Sequence, residues 1–161
     1  MRILVCWIAL VVAAAGEHPH WFEGTKKTAI DGTKSWGFAT AAKVEYGTSF
    51  LVLTVLCSTK EPPSVTFASF RAMDGSASPG WLTSGNLRYR LDDGALERAS
   101  GELAQSRLIV LPKSPAFLAR LQKAKTLAAE VQTVDFGTVF AHFDLTGLSE
   151  EYANTCGTLR K

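Results

Sequence analysis

Apolar residues in this chain recur mostly with the period of two expected of strands. Phe50-Leu51-Val52-Leu53-Thr54-Val55-Leu56-Cys57 is almost wholly apolar and rich in strand formers, which predicts a central strand covered on both faces. Thr59-Lys60-Glu61-Pro62-Pro63 breaks it, and Val65, Phe67, Ser69 and Arg71 then alternate with Thr66, Ala68 and Phe70 as a second strand, paired antiparallel to the first. Trp36 to Thr40 forms a shorter strand pattern, and Tyr46-Gly47 marks the turn after it. Leu87-Arg88-Tyr89-Arg90-Leu91 alternates strictly, and Asp92-Asp93-Gly94 after it predicts a hairpin to Ala95-Leu96-Glu97-Arg98. Leu87, Tyr89 and Leu91 then share one face, leaving Arg88 and Arg90 on the other with Glu97 or Arg98 across the turn. Arg107 to Leu111 is a further strand ending at Pro112, and Thr126–Val134 and Thr138–Leu145 read as a closing hairpin around Asp135-Phe136-Gly137.

Two short helices interrupt this pattern. Ser114 and Pro115 supply an N-cap and first turn, Phe117, Leu118 and Leu121 share a helical face, and Arg120, Lys123 and Lys125 sit toward the C-terminal half, where the dipole favours cations. A second helix follows the turn at Thr146-Gly147 and delivers Cys156. Met73 to Gly85, rich in Gly and Ser, reads as a loop carrying Trp81, and Glu17 to Thr33 as a loose polar arm with one anchoring contact at Trp21-Phe22. Seven or eight short strands, two peripheral helices and no long crossover predict a mainly β fold, an antiparallel β-sandwich or barrel-like domain.

The first fifteen residues read as a signal peptide. Arg2 gives a positive start, Ile3 to Val12 an apolar run too short to span a bilayer as a permanent anchor, and Ala13-Ala14-Ala15 the small residues before a cleavage site. Cys6 leaves with it. Residues 16–161 then form one exported β-rich domain without a linker. Loss of Arg2 lowers the net charge from +2 to +1, so no strong field steers the protein onto nucleic acid or anionic lipid, and a polyanion partner is not expected. Two cysteines, Cys57 and Cys156, remain. In an exported chain an even number favours a disulfide, with two buried free thiols as the other reading.

Groups suited to chemistry are sparse. The Gly-x-Ser-x-Gly, His-Glu-x-x-His and phosphate-loop signatures are absent. His142 beside Phe143 reads as a packed or edge histidine, and Asp92-Asp93 as turn residues. Neither catalysis nor a cofactor is expected. Cleavage after Ala15 would nevertheless create the terminus Gly16-Glu17-His18, whose amine, amides and imidazole suit copper(II) or nickel(II), with His20 as a further ligand. Trp21, Trp36 and Trp81 are candidates for stacking against a sugar or peptide, with core packing as the alternative, and Arg88 and Arg90 are candidates for binding.

Several segments resemble a known group of exported proteins: Leu51-Val52-Leu53 ending at Cys57, Leu87 to Gly94, Pro115-Ala116-Phe117-Leu118, and Phe143-Asp144-Leu145-Thr146-Gly147-Leu148 followed by Cys156. Together they resemble the VasI-like proteins associated with type VI secretion. The turn, helix and cysteine at the end are also similar to small periplasmic proteins of the invasion-associated locus B type. The resemblance implies a compact exported β-rich domain with a disulfide. The expected role is binding of an envelope protein partner, in the periplasm or outside the cell, as an accessory factor of a secretion or virulence system. A small periplasmic module binding a glycan, a peptide or copper is the alternative. N-terminal sequencing of the exported protein is expected to begin at Gly16 or Glu17, and an intact Met1 would overturn the leader reading.

Overall fold

The computed structural model describes residues 21–24, 26–44, 49–73, 76–112 and 115–159. It is mainly β, and every strand pair among the described residues is antiparallel. The strands are β1 (Phe22–Glu23), β2 (Lys27–Thr28), β3 (Lys34–Lys43), β4 (Ser49–Ser58), β5 (Ser64–Met73), β6 (Ser76–Pro79), β7 (Asn86–Leu91), β8 (Glu97–Ser100), β9 (Glu102–Ala104), β10 (Leu108–Val110), β11 (Thr126–Thr133) and β12 (Gly137–Asp144). Helix α1 (Pro115–Lys123) separates β10 from β11, and α2 (Leu148–Leu159) follows β12.

The larger sheet runs β1-β3-β4-β5-β10-β9, with β2 also on β3 and β6 also on β5, while the smaller runs β12-β11-β7-β8. Their inner faces meet in one core. Leu51, Leu53, Val55, Phe67 and Ile109 come from the larger sheet, and Leu87, Tyr89, Leu127, Val131 and Phe143 from the smaller. Phe67 and Phe143 meet edge to face across the interior, their ring centroids 6.2 Å apart. The two sheets also join at their margins. A bridge between Val44 and Ala141 links the end of β3 to β12. At the other margin β8 runs through Gly101 into β9, so one stretch of chain passes from sheet to sheet. A Cβ at Gly101 would lie 2.6 Å from the Val110 carbonyl oxygen and 2.8 Å from Ile109 Cγ2, so this corner needs glycine.

Strand β4 is covered on both faces, as its composition predicts. Leu51, Leu53 and Val55 enter the main core, while Phe50 and Val52 join Ala39, Ala68 and Phe70 in a second buried cluster. Phe50 and Phe70, opposite one another in the register, stack with centroids 5.6 Å apart.

Two sequence expectations are corrected. The segment 21–33 is not a loose arm, because β1 and β2 both pair with β3. Met73 to Gly85 is not purely a loop, since β6 pairs with β5 and Leu82 bridges to Thr133. The hairpin expected at Asp92-Asp93-Gly94 is present, with β7 and β8 paired antiparallel: Asp92 takes the positive φ of 48°, Gly94 N–H donates to the Leu91 carbonyl, and the connection continues to Leu96. Asp92 is held there because its Oδ1 accepts from the backbone N–H groups of Lys125 and Thr126, both at 2.9 Å.

Cys57 and Cys156 form a disulfide, with Cα atoms 5.5 Å apart and a sequence separation of 99. It fastens α2 to the end of β4. Replacing both cysteines with serine is expected to cost about 4 to 5 kcal/mol in the chain-entropy account. Thermal melting would read this as a fall on the order of 10 °C or more, and an unchanged midpoint would refute it.

Candidate functional site

Burial of one face of the smaller sheet sends the alternate residues outward. Tyr89, Ala129 and Ala141 lie in one inward row, so their neighbours form two outward rows across the strands. One is His142, Ala128 and Arg90. The other is Phe140, Glu130, Arg88 and Arg98. Between them lies a groove of about 480 Å³, floored by Ala128 and bounded by Arg88, Arg90, Leu96, Glu130, Phe140 and His142.

The charges in this groove are unevenly matched. Arg88 Nη1 donates to Glu130 Oε1 at 3.0 Å, and Glu130 is only 9% exposed, so this carboxylate is committed to the pair. Arg88 Nε is buried without a hydrogen-bond partner. Arg90 and Arg98 are exposed, and their side chains form no hydrogen bond or ion pair with a described residue. Beside them Leu96 and Phe140 are 58% and 41% exposed, large apolar groups left facing water. Guanidinium donors next to exposed apolar surface suit a ligand with a carboxylate or similar anion on an apolar body.

The other side of the same strand pair keeps these arginines in place. Glu97 stands opposite Tyr89 in the register and accepts from the Tyr89 hydroxyl at 3.0 Å. Arg120 of α1 donates to both Glu97 carboxylate oxygens, one through Nη1 at 2.9 Å and the other through Nη2. Phe117 of α1 meets Tyr89 edge to face at 5.3 Å. The Arg120 guanidinium holds the Glu97 carboxyl below its usual range, and burial raises the Tyr89 hydroxyl. Arg88 and Arg98 occupy the next paired position along, so this anchor fixes their spacing.

The structure separates the three tryptophans. Trp21 is a fastening, its Nε1–H donating to the Thr146 carbonyl at 2.8 Å and its ring meeting Phe38 edge to face. Trp36 donates to the Gly24 carbonyl at 2.7 Å, lies under Lys26 Nζ, and lines an apolar pocket of about 400 Å³ with Phe22 and Leu56. Trp81 follows Gly80, which is bonded to Ser69. In the shared register that is the Leu51 level of β4, six residues from Cys57 opposite Trp36 and so roughly 20 Å away. They form no common stacking platform.

Arg88 and Arg90 line the same groove. His142 is expected from sequence only as a packed or edge histidine, and Glu130, Phe140 and Leu96 are not expected there. Outward parity in β11 and β12 was the available signal, but their register with β7 was not. Gly16, Glu17, His18 and His20 lie outside the described residues. Among the described residues no three His, Cys, Asp or Glu side chains gather to hold a metal ion.

Glu97 gives this arrangement a pH dependence. Its folded pKa lies below its unfolded one, so the stabilisation is present above the ordinary carboxylate range and is lost as pH falls through the lowered value. Glu97→Gln is expected to lower the melting temperature at neutral pH and to flatten its decline below about pH 4. Parallel melting curves for both proteins across the acid range would refute this.

No family model matches this chain, no curated protein matches it, and no solved structure matches it.

Proposed function

We propose that this protein is an exported, non-enzymatic binding module of the bacterial envelope that engages a protein partner through the outer face of its smaller sheet. The observation carrying this reading is the outward cluster Arg88, Arg90 and Arg98, of which only Arg88 is ion-paired to a described residue, Glu130, set beside exposed Phe140 and Leu96, with Asp92, Asp93 and Asp144 lining the adjoining hollow next to Arg90. Arginine and aromatic side chains are enriched where proteins dock, and unanswered guanidinium groups select an acidic counterpart. Residence in the periplasm or outside the cell is supported by the apolar leader pattern and is compatible with the disulfide. No helix among the described residues is long and apolar enough to cross a membrane. A role as an accessory factor of a secretion or virulence system rests on the resemblance to VasI-like and invasion-associated locus B type proteins.

A second reading takes the same groove as the seat of a small anionic ligand. Its volume of about 480 Å³ falls within the range of small-molecule sites. Arg90→Ala separates these possibilities, because the side chain makes no ion pair with a described residue and its removal leaves the fold intact. Affinity capture from envelope extract is expected to recover a stoichiometric protein with the wild type. Binding of that protein is expected to weaken about tenfold with the variant, the worth of one charge-assisted hydrogen bond. A small anion co-purifying in its place, and lost with Arg90→Ala, would establish the second reading. Equal recovery with both proteins would remove the groove from either role.

A further inference from the structure

Outside the groove, three of the large apolar side chains most open to water lie on neighbouring loops at one end of the molecule. Trp81 is 46% exposed, Val134 62% and Phe136 43%. Val134 N–H donates to the Trp81 carbonyl at 2.9 Å, which holds the two loops together. Leu82 N–H donates to the Ser106 carbonyl, and Thr83 N–H to the Gln132 carbonyl. The Thr133 hydroxyl accepts from Phe136 N–H and donates to the Gly137 carbonyl, closing the turn that carries Val134 and Phe136. These loops are stapled to one another, so the apolar groups are held outward and cannot fold back onto the core.

Each ring at this end carries a guanidinium. Arg107 Cζ lies 4.4 Å from the Trp81 centroid, and Arg71 Cζ lies 5.5 Å from the Phe136 centroid. Neither arginine forms an ion pair with a described residue. A guanidinium attracted to a ring face can still present N–H donors to a second group, in the fork geometry that grips a phosphate. Trp and Phe suit the zone between headgroups and acyl chains, where one side of the ring is apolar and the other wet.

We propose that this end of the molecule is a peripheral membrane-docking surface, seating Trp81, Val134 and Phe136 in the interface of an anionic bilayer while Arg71 and Arg107 hold lipid phosphates. The exposed parts of the two rings amount to roughly 200 Å², far short of the ~800 Å² that each partner contributes to a stable protein interface. A bilayer needs no complementary pocket, and weak reversible attachment suits so small a patch. Asp135, between Val134 and Phe136, opposes the two arginines in part, and these three described residues together carry one net positive charge. This surface is separate from the groove, so either proposal can fail alone.

The test is co-sedimentation of the exported, processed protein with vesicles of mixed phosphatidylglycerol and phosphatidylcholine, and with vesicles of phosphatidylcholine alone. Binding to the mixed vesicles is expected, weaker at high salt and weaker still on the neutral ones. Arg107→Gln is expected to lower partitioning onto the mixed vesicles about fivefold, the worth of one cation at such a surface. Trp81→Ala is expected to abolish it with little change in melting temperature. Should Trp81→Ala unfold the protein, Val134→Ser, at the most exposed of the three positions, gives the same readout. Absence of binding to both vesicle types would overturn the proposal. So would binding unaffected by the Trp81 or Val134 change, or a protein partner whose capture depends on Trp81 while vesicles are ignored.

Discussion

The smaller sheet can exist only with one face against the larger, and that burial fixes the parity of every residue in β7, β8, β11 and β12. Phe143 must reach Phe67, and Leu87, Leu127 and Val131 must enter the same core. Once they do, Arg88, Arg90, Glu130, Phe140 and His142 have only the outer face left to them. A slip of one residue in any strand would bury guanidinium groups and expose leucine, an exchange costing several kcal/mol. The groove is thus the reverse side of the core. Its rigidity comes from the same packing.

The margins of the fold explain why two sheets behave as one body. Gly101 lets a continuous strand leave the smaller sheet and enter the larger, and the Val44–Ala141 bridge closes the opposite side. Short strands such as β8 and β9 would be weak as isolated edges. Passing directly from one to the other leaves fewer free ends, and α1 adds the Arg120–Glu97–Tyr89 anchor on the inward side of β8. Asp92 does comparable work at the other end of β7, binding the first backbone N–H groups of β11 to the turn.

How much of this was legible in the sequence depended on whether the signal was local. The apolar run of β4, the alternation of β7, the Pro115 start of α1 and the pairing of Cys57 with Cys156 each rest on a few neighbouring residues or a small count, and each is present in the structure. Strands β1, β2, β6 and β9 are two to four residues long and are defined by the partner that receives them. No local pattern marks such a strand. The candidate site shows the same division. Arg88 and Arg90 could be assigned to one face from alternation alone, but Glu130 reaches Arg88 across 42 positions and needs the β7–β11 register. The apolar end is less legible again, since Trp81, Arg107 and Phe136 come from three separate loops.

The disulfide also divides the chain into what it encloses and what it leaves out. Residues 58–155 lie within the covalent loop, so β5 through β12 and α1 are all held inside one ring of backbone closed by two sulfur atoms. Strand β3 stands outside that ring and pairs with β4 along its length. Reduction would therefore release α2 and the C-terminus from their covalent tie while leaving the β3–β4–β5 ladder its own hydrogen bonds.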